Sequence, residues 1–168
     1  MVRKVAFYGV FASLAIIVAV IERQFPLPIP IFGIKLGLPN VVVIMVMYAL
    51  NARAAVSISV LRVLLVNMIF GTMTMAIFGL AGALASFVVM FIAMRVRIFG
   101  LVGVSVLGSV AHIVAQSVVG AFWLNTPDLI LTYMPIMIIS GVVTGVLIGY
   151  TAGFALQNLK IINRPNFK

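Results

Sequence analysis

Residues Thr74–Met94 read TMAIFGLAGALASFVVMFIAM, twenty-one positions without a charge. A helix rises about 1.5 Å per residue, so a run of this length matches the roughly 30 Å hydrocarbon core of a bilayer. Arg95 and Arg97 close the run on one side, and Gly71–Met73 separates it from another apolar run on the other. The same pattern recurs along the whole chain. Of its 168 residues, 65% are hydrophobic and 8% charged, with a mean hydropathy of +1.35. A water-soluble domain of this size needs far more polar surface. The chain reads as an all-α integral membrane protein, a single domain over residues 1–168.

Charges and turn residues cut the sequence into six runs: Val5–Ile21, Leu36–Leu50, Ala54–Phe70, Thr74–Met94, Gly100–Leu124 and Leu129–Leu156. The expected architecture is six transmembrane helices in one bundle. The first run follows Arg3-Lys4 in the manner of a signal peptide, but further apolar runs follow it, so it reads as an uncleaved span. The net charge of +9 does not point to nucleic acid, because the basic residues cluster at the ends of apolar runs. With the N-terminus inside, Arg3, Lys4, Arg53, Arg95, Arg97, Lys160, Arg164 and Lys168 lie inside. Only Arg23 and Lys35 lie outside, and both acids, Glu22 and Asp128, fall outside. The positive-inside rule therefore puts both termini in the cytoplasm of a prokaryotic cell membrane.

Most connections are short, which makes successive helices antiparallel neighbours. The exception is the first outer connection, about Glu22–Lys35, most of which lies in the stretch QFPLPIPIFGIKLGLPN (Gln24–Asn40). Pro26, Pro28 and Pro30 forbid a regular helix there. A stiff apolar segment with a low ordering cost suits a lid, with Phe32 to cover a ligand, Gly33 to turn and Lys35 at the far end. A plain surface loop that shields the bundle is the alternative.

Two runs carry packing stripes. Gly141, Gly145, Gly149 and Gly153 recur every four residues down one helix face, a ladder that permits close backbone approach in lipid. Ala12, Ala15 and Ala19 share a face of the first run, at i, i+3 and i+7. Either stripe serves internal packing or a partner.

Polar residues at membrane depth are costly and mark function. Arg62 sits mid-run in SISVLRVLLVNMIF, with no acid inside any span to pair with it. Its planar fork suits a carboxylate or a phosphate; tying down a carbonyl is the alternative. Ser109, His112 and Gln116 form a hydrogen-bonding stripe on another run, for a ligand or for a helix contact. Asn40 and Asn67 add two amides toward the outer side. Together, Asn40, Arg62, Asn67, His112 and Gln116 are the candidate substrate-binding residues of an apolar pocket open to the outside.

Some chemistries are excluded. There is no cysteine and one histidine, so no metal site is expected. Two acids cannot form the carboxylate-rich magnesium sites of ordinary prenyl-chain synthesis. No phosphate-binding glycine loop, nucleophile elbow or triad is present, and no cofactor motif. The chain is not expected to be an enzyme or a primary pump.

The runs LPIPIFGIKLGLPN, LRVLLVNMIFG and GSVAHIVAQ resemble the Gx transporter family, often labelled heptaprenyl diphosphate synthase component I. That family is similar to the substrate-binding S components of energy-coupling factor (ECF) vitamin transporters. The resemblance implies six membrane helices, capture of a small vitamin- or cofactor-like molecule outside, and a first outer loop acting as a gate. It also implies docking on a T component that carries two ABC ATPases, through an AxxxA pattern on the first helix matched by Ala15 and Ala19, with Ala12 beside them. The ligand it suggests is anionic and partly hydrophobic. An accessory membrane subunit of prenyl diphosphate or quinone metabolism, or of electron transfer, is the competing class. A stand-alone carrier would favour an internal repeat, and none is evident.

Overall fold

The computed structural model describes residues 2–24, 37–125 and 128–159. They form six helices: α1 Val2–Gln24, α2 Leu38–Ala49, α3 Ala52–Phe70, α4 Met73–Val96, α5 Leu101–Leu124 and α6 Asp128–Asn158. The ends are set by local chemistry. Asn51 caps α3 by accepting a hydrogen bond from the Ala54 amide at 2.8 Å, and Thr72 caps α4 through the Met75 amide at 3.2 Å. Arg97 and Asn125 end α4 and α5 in the left-handed conformation.

The helices alternate in direction. At one end, Asn51 Nδ2 donates to the Tyr8 hydroxyl at 3.0 Å, joining the starts of α1 and α3. At the other, Arg23 Nη2 donates to Asn67 Oδ1 at 3.0 Å, joining their ends. Those two helices are therefore parallel, with α2 returning between them. Pairings α2–α3, α3–α4, α4–α5, α5–α6 and α6–α2 close a ring, and α1 packs against α2 and α3.

Five of the six helices are long and apolar enough to cross a membrane. The exception is α2. Where a span Leu36–Leu50 was expected, α2 has 12 residues, about 18 Å of helix. Gly37 precedes its first turn, at a positive φ of 69° that a helix cannot contain. Because the end of α2 is joined by a short link to the start of α3, α2 runs alongside only part of α3. Its six consecutive residues Val42–Met47 are all buried, as expected of an apolar helix surrounded by others. With Phe11, Ala15, Ala55, Ile58, Ile148 and Leu156 they make the core. Phe7, Ile17, Val88, Ile92, Leu147 and Phe154 are exposed around the outside and suit a lipid-facing surface.

The glycine ladder packs α6 on α5. A Cβ added at Gly145 would lie 2.6 Å from the Val106 Cα, and one at Gly149 2.7 Å from the Val102 Cα. At Gly141 it would meet Ile113 Cδ1 at 2.9 Å, whereas Gly153 has only Leu101 Cδ2 at 3.8 Å. Three of the four glycines are thus close-approach positions. The first helix turns its alanine stripe into the bundle. Ala15 and Ala19 are buried within the chain's own bundle, at 0% and 8% exposure, and Ala12 is half-buried against the core. This face is not free for a partner in this arrangement, because α2 and α3 cover it. The opposite face is open: Ala6, Gly9, Val10, Ser13, Leu14 and Ile17 line a shallow groove.

Candidate functional site

The α1 helix continues past the predicted end at Ile21 and carries Glu22 and Arg23 as helical residues. Glu22 lies three residues after Ala19 and seven after Ala15, so it falls on the same inward face. Its Oε1 accepts a hydrogen bond from the Gly37 amide, the residue that opens α2. Arg23 turns toward α3 and α4. It donates to Asn67 Oδ1 and, at 3.5 Å, to the Val66 carbonyl, and its Nη2 lies 3.6 Å from Met75 Sδ. The Arg23→Ala variant loses this tie. About 1 kcal/mol of stability is expected to go with it, with faster amide exchange at the end of α1 as the readout.

Arg62 lies on α3 and is only 8% exposed. Its Nη2 donates to Asn40 Oδ1 at 3.4 Å, a long bond, and its Nε is buried without a partner among the described residues. Glu22 and Arg62 meet the same turn of the chain: Glu22 Oε1 accepts from the Gly37 amide, and Arg62 Nη2 donates to Asn40 Oδ1. The helix extension produces this proximity. Asn40 is the third residue of α2, so the guanidinium stands beside that helix's first turn. Pro39 brings no amide N–H to that turn.

The five candidate binding residues divide into separate groups. Arg62 and Asn40 meet. Asn67 is five residues beyond Arg62, about 140° further around the helix, and is taken up by Arg23 and by its own bond to the Val63 carbonyl at 2.8 Å. The His112 ring packs over Gly82 of α4, where an added Cβ would stand 2.8 Å from Nε2. Ser109, expected on the same stripe, instead faces Gly145 of α6. Gln116 is half-buried one turn further out on α5. The lid residues Pro28, Pro30, Phe32, Gly33 and Lys35 lie outside the described residues. At the C-terminal end of α5, Trp123 meets Phe78 edge-on, with ring centroids 6.3 Å apart. Among the described residues no three histidine, cysteine or acidic side chains gather in a metal-binding group.

Sequence reasoning missed Glu22 and Arg23 as residues that enter the bundle. The signal for Glu22 was its helical spacing from Ala15 and Ala19, available once the helix was allowed to run on. No curated protein and no solved structure matches the chain. The family profile described as heptaprenyl diphosphate synthase component I matches residues 11–155. This membrane-type helical bundle, with one buried arginine beside a half-length helix, therefore belongs to the heptaprenyl diphosphate synthase component I family.

Proposed function

We propose that the chain is the substrate-binding component of an ECF-type ABC importer, taking up a small vitamin- or cofactor-like molecule. It captures the molecule from outside and delivers it inward with a T component and two ABC ATPases. The observation that carries this reading is the half-length α2. Its first turn sets Asn40 against the buried Arg62 guanidinium in otherwise apolar surroundings. A few directional groups among apolar side chains suit capture of a small molecule. The chain has no ATP-binding loop of its own, so the energy comes from partners. The positive-inside bias supports cytoplasmic termini and an outward-facing site.

The partner surface in this reading is the outward groove of α1, not the buried alanine face. Gly9 and Ser13 are spaced as small-xxx-small, and a Cβ at Gly9 meets nothing within 4 Å. Gly9→Leu is thus expected to leave folding intact and remove the copurifying partner. The test is purification from the native membrane in mild detergent with identification of what accompanies the chain. A T component and two ATPases are expected with the native chain, and the ATPases are expected to be absent with Gly9→Leu. Recovery of prenyl-transferring enzymes in their place would overturn the reading.

The family's description favours one second reading, a non-catalytic membrane subunit of prenyl diphosphate synthesis. The chain's two acids do not supply a magnesium–diphosphate site: Glu22 is engaged by Gly37 and Asp128 is exposed.

A further inference from the structure

The geometry points to an oxyanion subsite at the first turn of α2, formed by Arg62, Asn40 and the helix N-terminus, with Glu22 as its built-in competitor. It rests on reading the outer half of the bundle as a ligand site, and not on which partner supplies energy.

Three observations converge. The first is the cation. Arg62 is more than nine-tenths buried, yet it makes one long hydrogen bond and leaves Nε unpartnered among the described residues. A guanidinium carries five donors in a rigid fork and cannot shed its charge. At this depth it needs acceptors, and a bidentate oxyanion supplies two. The second is the helix end. The α2 N-terminus stands beside the fork, since Asn40 is its third residue. Pro39 has no amide N–H and the Asn40 amide donates to the Gly37 carbonyl at 2.8 Å, so the turn offers an anion the partial positive charge of its end. The third is Glu22. It holds the Gly37 amide at the same turn whose third residue, Asn40, accepts from Arg62. A protein carboxylate already serves this turn from one side.

Arg62 is buried inside the bundle and not on the lipid-facing surface, so the oxyanion belongs to a solute and not to a lipid headgroup. Ile148 gives the turn an apolar neighbour beside Gly37. The ligand class is a carboxylate or phosphate attached to an apolar body. An incoming oxyanion meets two attractive groups and one repulsive one. Glu22 therefore weakens capture, as an exchangeable site requires, and also excludes anions too weakly bound to overcome it.

The experiment uses the full chain purified in mild detergent and follows its unfolding temperature. Phenyl phosphate and benzoate are the probes, benzyl alcohol is the neutral control, and sodium chloride matches ionic strength. Saturable stabilisation by at least one anion, with none from benzyl alcohol, is expected for the native chain. In Glu22→Gln the half-saturating concentration is expected to fall about tenfold. In Arg62→Lys, which keeps the charge but loses the fork, it is expected to rise about tenfold. Three results would each overturn the inference. They are no saturable response to either anion, an unchanged or raised half-saturation in Glu22→Gln, and an unchanged one in Arg62→Lys. A merely structural Glu22 would weaken binding when neutralised, so the sign of that change decides. The copurification test is independent: ATPases found without anion binding sink only this subsite, and anion binding without ATPases sinks only the importer reading.

Discussion

Gly145→Leu is expected to abolish the folded bundle or to leave it far less stable than the native chain. The Cβ at this position would stand 2.6 Å from the Val106 Cα and 3.2 Å from the Ser105 carbonyl oxygen. Both are backbone atoms of α5, so no side-chain rotation relieves the clash, and the two helices have to separate. Overpacking of a dense interior costs about 1–3 kcal/mol even where side chains can yield; here the cost is expected at or above the top of that range. Loss of the α5–α6 contact also opens the ring, since α6 is the helix that returns to α2. The unfolding temperature in detergent is the measurement. Gly153→Ala is the internal control. Its new methyl meets only Leu101 Cδ2 at 3.8 Å, and alanine is the better helix former by about 0.5–1 kcal/mol. A ladder that served only a second subunit would leave the purified monomer equally stable in both variants.

Arg62→Met is expected to lose ligand capture and to gain stability. The two changes have one cause. A buried guanidinium with an unpartnered Nε and one 3.4 Å hydrogen bond is under-satisfied in the empty protein. An unmet buried polar group costs about 1–3 kcal/mol. Methionine fills similar volume without that demand. Some of the gain is offset, because Asn40 loses a favourable neighbour. The net expectation is an unfolding temperature at or above that of the native chain, together with loss of transport or binding. A marked drop in stability would instead make Arg62 a structural tie between α2 and α3. Trade-offs of this sign are common where function holds a strained or unsatisfied group in place.

Together with Arg23→Ala and Gly9→Leu, these variants separate four roles on four surfaces. Arg23 ties the outer end of α1 to α3. Gly9 lies on the open face of α1. Gly145 seals α5 to α6, and Arg62 waits beside α2. The two ends of α1 thus do different work. Its N-terminal half presents small residues outward, and its C-terminal turn brings two charges into the bundle.

The membrane class, the all-helical fold and the number and order of its helices were readable from composition and run length. A 65% hydrophobic chain has no other solvent-compatible solution, and each helix satisfies its own backbone in lipid. The glycine spacing likewise announced a close helix contact, because a four-residue period keeps one face of a helix small. Arg62 stood out for the cost of its charge. What the linear order could not decide was which neighbour each face meets. The alanine stripe of α1 looked the same whether it faced a partner or α2, and only the tertiary arrangement turned Ala15 inward. His112 and Asn67 looked like companions of Arg62, but the rotation of each helix in the ring sent one to Gly82 and the other to Arg23. Glu22 counted as a loop residue until α1 carried it, on the face of Ala15 and Ala19, to the start of α2. Hydrophobicity is a sum over residues and is read from them one at a time. A site is a set of relative helix rotations and depths, and those are decided only when all six helices pack at once.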